Sequence, residues 1–247
     1  EGISGKQSFP VLLFFHGGGW VTESVETYDR VCARMAQATG QIAASVEYRL
    51  APEHRFPVPF EDCYEAAKAL YTNRSILHTE PDRITVMGDS AGGNLTAAVA
   101  LKARDTGDFK IERQILIYPA LNNCYTEESP YPSVRENGKD YLLTAVKMQD
   151  YLDLYKSSPE DLLNPYFAPL KEPDLRNMPR TLILTAEFDP LRDEGEDYGR
   201  RLREAGNQVE MHRIPDALHG YFALGIQFLH VRESFGYING FLENNGV

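Results

Sequence analysis

Five residues, Gly88-Asp89-Ser90-Ala91-Gly92, restrict this chain more than any other stretch. They follow a β-rich run, Arg83-Ile84-Thr85-Val86-Met87, and precede a run from Asn94 to Arg104 that reads as helix. A Gly-x-Ser-x-Gly pentapeptide between a strand and a helix predicts a sharp turn that exposes the serine Oγ at the strand's C-terminal end. A side chain at Gly88 or Gly92 would collide where strand and helix cross. The helix behind the serine turns free N–H groups and a positive dipole end toward developing negative charge. A small-residue turn that only packs a helix on a sheet would share the pentapeptide, so a second motif has to decide.

That second motif lies upstream. Val11-Leu12-Leu13-Phe14-Phe15 is an apolar run bounded by Pro10, and it empties into His16-Gly17-Gly18-Gly19-Trp20. The pattern reads as a buried strand and a glycine-rich loop. Consecutive glycines leave backbone N–H groups uncovered. A strand and a His-Gly-Gly-Gly loop ahead of a serine elbow form an acyl-transfer arrangement, one motif supplying a nucleophile and the other an oxyanion hole. No Lys-Ser/Thr pair follows the glycines, which argues against a phosphate loop.

A serine hydroxyl needs a base to take its proton. The chain has six histidines, His16, His54, His78, His212, His219 and His230. On a strand–elbow–helix scaffold the order is serine, acid, histidine, which leaves the last three. His212 sits in an alternating stretch and reads as a half-buried or exposed strand residue. His230 falls in an apolar-periodic helix. His219 lies in the loop that leaves the strand end, where a rigid scaffold holds reactive groups, and is the expected base. The acid is expected just past the β-run 181–186, in Glu187-Phe188-Asp189-Pro190. Asp189 is chosen to accept the imidazole N–H and fix its tautomer, with Glu187 as the alternative. Asp216 is assigned to its own turn. The cluster Asp193-Glu194-Glu196-Asp197 opens a helix, where carboxylates favour the dipole.

The segments together resemble the hormone-sensitive-lipase-like group of α/β-hydrolase carboxylesterases. They are His16 to Trp20, Tyr48-Arg49-Leu50-Ala51-Pro52-Glu53, Gly88 to Gly93, Asp189-Pro190-Leu191-Arg192-Asp193 and His219-Gly220. The resemblance implies an α/β-hydrolase fold and a serine carboxylesterase that hydrolyses small, short-acyl esters through an acyl-enzyme. It implies Ser90 as nucleophile, His219 as base and Asp189 as its orienter. It also implies an oxyanion hole made by the N–H groups of Gly17, Gly18 and Ala91. Tyr48 to Glu53 receives no catalytic role, though Arg49 or Glu53 is expected to brace the oxyanion loop through an ion pair. The family carries more sequence ahead of the glycine loop, and its N-terminal cap region is expected to be absent from this stretch, which implies either a trimmed or partial product or an unusually open site. An amidase or peptidase on the same scaffold, and a non-catalytic ligand-binding homologue, are the alternatives.

The chain has 247 residues, 43% of them hydrophobic, and no apolar run near the roughly 18 residues of a membrane span. A single domain over 1–247 is expected, with β-runs at 11–15, 42–47, 83–88, 113–118, 181–186 and 208–214. Helical patterns at 27–38, 60–72, 91–105, 144–156, 194–205 and 226–243 alternate with them, which argues a mostly parallel sheet covered on both faces. The net charge of −11 disfavours nucleic acid and anionic membranes as partners. Cys32, Cys63 and Cys124 are odd in number and fit reduced thiols of a cytoplasmic protein. No Cys-x-x-Cys or His-Glu-x-x-His spacing occurs, so neither metal nor cofactor is expected. The expected partner is a small-molecule ester, and a homodimer is compatible with the chain.

The stretch 122–165 separates two core strands and carries Tyr125, Tyr131, Tyr141, Tyr151 and Tyr155. Its length predicts a lid or insert over the site. Trp20, Leu191, Tyr221 and Phe222 adjoin the catalytic loops and are expected to line the substrate pocket.

Overall fold

Neighbouring residues of a strand face opposite sides of a sheet, and in this protein both sides are apolar. The computed structural model describes residues 8–243. Six strands, β1 (Val11–Phe15), β2 (Ile42–Ser45), β3 (Ile84–Asp89), β4 (Arg113–Ile117), β5 (Arg180–Phe188) and β6 (Val209–Leu218), form one sheet in the order β2-β1-β3-β4-β5-β6. Every pairing is parallel. Parallel neighbours need a crossover, and the helices supply most of them. They are α1 (Asp29–Thr39), α2 (Val58–Thr72), α3 (Ala91–Thr106), α4 (Pro132–Glu136), α5 (Ala145–Tyr155), α6 (Arg192–Glu204) and α7 (Leu229–Glu243).

The alternation sorts the core into two clusters. Val11, Leu13, Phe15, Val86, Leu116 and Ile183 pack on one face against Cys63 and Tyr64 of α2, Leu95 and Val99 of α3, and Tyr198 and Leu202 of α6. Leu12, Phe14, Met87, Ile115, Ile117, Leu182 and Leu184 pack on the other against Val31 and Met35 of α1 and Phe235, Ile238 and Phe241 of α7. Helix α3 lies centrally and is buried from Ala91 through Leu101, which explains its Ala-rich, weakly amphipathic sequence.

The six strands and the long helices fall where the sequence predicts them, with shifted ends. β5 runs on to Phe188 and β6 to Leu218, because their pairing resumes beyond an irregularity with Phe188 opposite Leu218. Asp216 takes a left-handed φ of 56° inside this stretch and donates its N–H to Glu187 at 2.8 Å. Glu187, the alternative acid, is thereby committed to β6. The final helix begins at Leu229 instead of 226. The short helix α4 lacks a predictive pattern; its start is held from outside, the Ser133 N–H donating to Asp193 at 2.7 Å. Among the described residues no helix is long and apolar enough to cross a membrane.

Candidate active site

The elbow forms because three backbones meet in a small space. Phe15 of β1 lies in register with Gly88 of β3. A Cβ on Gly92 would stand 1.9 Å from the Phe15 carbonyl oxygen and 2.7 Å from that of His16. Ser90 itself, between β3 and α3, is driven to φ 56° and ψ −117°. A non-glycine residue holds such a conformation only where its surroundings impose it. The Ser90 N–H donates to Ile117 at 2.9 Å, and the Ser90 carbonyl accepts from Asn94 and Ala120.

β3, β5 and β6 end at the same edge of the sheet, so Ser90, Asp189 and His219 arrive together. Ser90 Oγ lies 2.9 Å from His219 Nε2, and His219 Nδ1 lies 2.7 Å from Asp189 Oδ2. An ionised carboxylate only accepts hydrogen bonds, so Nδ1 carries the proton and Nε2 is free to accept from the serine. Asp189 is wholly buried, and its other oxygen accepts the Leu191 N–H at 2.9 Å. Asn137 donates to the Asp189 carbonyl at 3.3 Å. His212 and His230 are elsewhere. His212 pairs with Glu210 and stacks on Tyr237, while His230 lies in α7.

The glycine loop beside Ser90 departs from expectation at its first member. The Gly17 N–H donates to Asp89 Oδ1 at 2.8 Å, so it is already spent. No hydrogen bond recorded among the described residues uses the N–H groups of Gly18, Gly19 or Ala91. Gly18 and Gly19 have φ of 107° and 62°. The loop closes as Val21 and Thr22 donate to the Gly18 carbonyl, and the Ala51 N–H donates to Trp20 at 2.8 Å. His16 is buried and stacks on Tyr48 with ring centroids 4.3 Å apart. The Tyr48 hydroxyl donates to the His16 carbonyl at 2.7 Å. Burial holds the His16 imidazole below its ordinary pKa, favouring the neutral ring.

Tyr48 therefore braces this loop, and the ion pair expected from Arg49 or Glu53 does not. Arg49 instead pairs with Asp62 of α2 at 2.6 Å. Glu53 is exposed. Glu194 also departs from its expected role. It is fully buried and accepts from Leu121 N–H at 2.7 Å and the Tyr125 hydroxyl at 2.8 Å. Burial pushes its carboxyl up to about 8. Trp20, Leu191, Tyr221 and Phe222 are between 0 and 2% exposed. Trp20 stacks on Tyr155, the Tyr221 hydroxyl pairs with Ser234, and Phe222 packs on Phe235. The four are thus almost entirely buried in the fold.

The stretch 122–165 reaches the glycine loop through α5. A Cβ on Gly19 would stand 2.5 Å from the Tyr151 ring, so only glycine lets this ring sit on the loop. Arg55 donates to the Asp153 and Lys156 carbonyls, and the Phe56 N–H donates to Tyr155 at 2.8 Å. Sequence reasoning missed Asp89, Tyr28, Tyr48, Tyr118 and Glu194. For Asp89 a signal existed, since an acid closing an otherwise apolar, doubly covered strand needs donors. Among the described residues no cluster of three or more His, Cys, Asp or Glu side chains is arranged to hold a metal ion. Cys32, Cys63 and Cys124 are free thiols.

A six-stranded parallel sheet flanked by helices, with a strained serine at a strand–helix turn and a glycine loop beside it, is the architecture of an α/β hydrolase. Residues 12–223 match the family model of the α/β-hydrolase fold. An arylesterase of Saccharolobus solfataricus is 37% identical over 85% of this chain and 68% of its own length. An ethyl acetate hydrolase of Pseudomonas putida is 35% identical over 87% and 66%. A hyperthermophilic esterase of the archaeon Pyrobaculum calidifontis superposes with a TM-score of 0.90 at 41% identity, covering 96% of this chain and 77% of that one. The chain spans about two thirds of the length of these curated relatives. It belongs to the hormone-sensitive-lipase-like carboxylic ester hydrolases of the α/β-hydrolase family.

Proposed function

We propose that this protein hydrolyses small, short-acyl carboxylic esters by covalent catalysis at Ser90. Oγ attacks the ester carbonyl as His219 Nε2 takes its proton, and Asp189 holds the imidazolium. The tetrahedral oxyanion is held by the N–H groups of Gly18 and Ala91 and by Gly19, which takes the place expected of Gly17. The carbonyl re-forms, the alcohol leaves with the proton from His219, and water repeats the sequence to release the acid. Preorganised amides of this kind are worth roughly 3–4 kcal/mol each to the transition state. The observation that carries the proposal is the unbroken line of two short hydrogen bonds from Asp189 through His219 to Ser90. The stretch 122–165 serves as the cover of the site.

Ser90→Ala is the test. Hydrolysis of p-nitrophenyl acetate is expected to fall more than about 10⁴-fold, while circular dichroism and melting temperature stay near the parent's. An organophosphonate is expected to label the parent at Ser90. Activity of the alanine variant within tenfold of the parent's would end the proposal. A matched anilide hydrolysed as fast as the ester would replace it with an amidase.

A further inference from the structure

A buried carboxylate needs donors, and the identity of those donors says what it holds. Asp89 closes β3 one residue before Ser90 and is 3% exposed. Its Oδ1 accepts the Gly17 N–H at 2.8 Å. Its Oδ2 accepts the hydroxyls of Tyr28 at 2.9 Å and Tyr118 at 3.3 Å. Each donor belongs to a different wall of the site. Gly17 opens the glycine loop. Tyr28 lies against the His16 ring, 5.5 Å between centroids. Tyr118 follows β4 and lies 4.7 Å from the His219 ring. The contact is built into the sequence, because a Cβ on Gly17 would stand 2.8 Å from Asp89 Oδ2 and 3.0 Å from the Tyr28 hydroxyl.

We propose that Asp89 is the positioning residue of the oxyanion loop: by taking the Gly17 N–H it sets the loop so that Gly18 and Gly19 offer theirs, and through Tyr118 it ties that loop to the imidazole. This rests on the esterase proposed above. Asp89 touches neither substrate nor Ser90 Oγ in this role and acts through the groups it holds. A charged acceptor binds an amide about twice as strongly as a neutral one, so the charge matters as well as the shape. The titratable groups around it are Tyr28 ahead of α1, Cys32 on α1, Tyr48 after β2, Tyr118 after β4 and His219 after β6. Burial pushes the Asp89 carboxyl up to about 6, against the pull of its donors and His219. Acidification through that region discharges it and slackens the Gly17 bond, so activity falls there as Asp89 takes up its proton.

Asp89→Asn and Asp89→Ser separate these effects. Asparagine keeps an acceptor oxygen within reach of Gly17; serine is too short. With p-nitrophenyl acetate, kcat is expected to fall about tenfold in the first and about a hundredfold in the second, in the range of a lost oxyanion donor. KM should stay within threefold. In the asparagine variant the acid limb of the kcat profile near pH 6 should lose one proton's steepness. A serine variant with kcat within threefold of the parent's, a loss confined to KM, or an unchanged acid limb would overturn the proposal. So would an asparagine variant unfolded at the assay temperature, since the carboxylate would then be a fold element. Organophosphonate labelling of the parent keeps the two levels apart. A parent unlabelled at Ser90 takes down the esterase itself, whereas a labelled parent with indifferent variants removes Asp89 alone.

Discussion

Gly92 and Gly236 lack the same side chain to opposite effect. At Gly92 the missing Cβ would lie 1.9 Å from a backbone oxygen that cannot rotate away. At Gly236, inside α7, nothing lies within 4 Å of the position. Gly92→Ala is therefore expected to destabilise the protein by about 3 kcal/mol or more through overpacking. Gly236→Ala should stabilise it by about 0.5–1 kcal/mol, because alanine leaves less backbone entropy to lose in a helix. Urea unfolding of both variants checks the pair, and equal shifts of one sign would contradict it. At this scale the sequence was most readable where chemistry demands a residue type at a fixed spacing. Ser90 is announced by its glycines, and His219 by chain order and the strand before it. Asp89 was hidden, because it occupies the free position of the pentapeptide and its donors come from residues 17, 28 and 118. Gly17 and Gly19 could not be told apart from a run of identical residues. Only the partner of each N–H separates them.

Elements inherit constraints that their own sequences conceal. The acidic opening of α6 satisfies a helix dipole in principle, yet Glu194 faces inward and holds the first residues of the insert. Its carboxyl rises from 4.5 to about 8 on burial. The folded state then binds a proton that the unfolded state has released, throughout the window between those values. Stability from this group is complete below about pH 4.5 and drains away as pH climbs toward 8. Glu194→Gln keeps an oxygen for Leu121 and Tyr125 without the charge. It should therefore gain on the parent at pH 8.5 and not at pH 5, as read by chemical unfolding at both. An equal difference at the two values would refute the assignment. The same concealment explains α4 and the ends of β5 and β6. Doubly buried strands are legible as short apolar runs, and amphipathic helices from their periodicity. A five-residue helix started by a distant carboxylate is not, and neither is a strand that resumes past Pro215.

At the scale of the whole molecule, a six-stranded parallel sheet carries the candidate site and the insert 122–165 is fastened beside its glycine loop. The alternation of β-runs with helical patterns predicts a parallel sheet covered on both faces, and that much of the architecture is readable from the order of the segments. The attachment of the insert was not readable, since Arg55 and Phe56 reach its backbone carbonyls, and its own Ser157 reaches the Phe56 carbonyl, through groups that carry no sequence signature. A cover secured at so many points does not swing far. Turnover of p-nitrophenyl esters is accordingly expected to be highest from acetyl to butyryl and to decline with longer acyl chains. A steady climb toward palmitate would contradict a fastened cover. The seat of the Tyr151 ring on Gly19 has one more result. Under the proposed function, any lineage that reshapes this cover to admit a different ester also nudges the hand that steadies the reacting oxygen, so taste and speed would be inherited as a single trait.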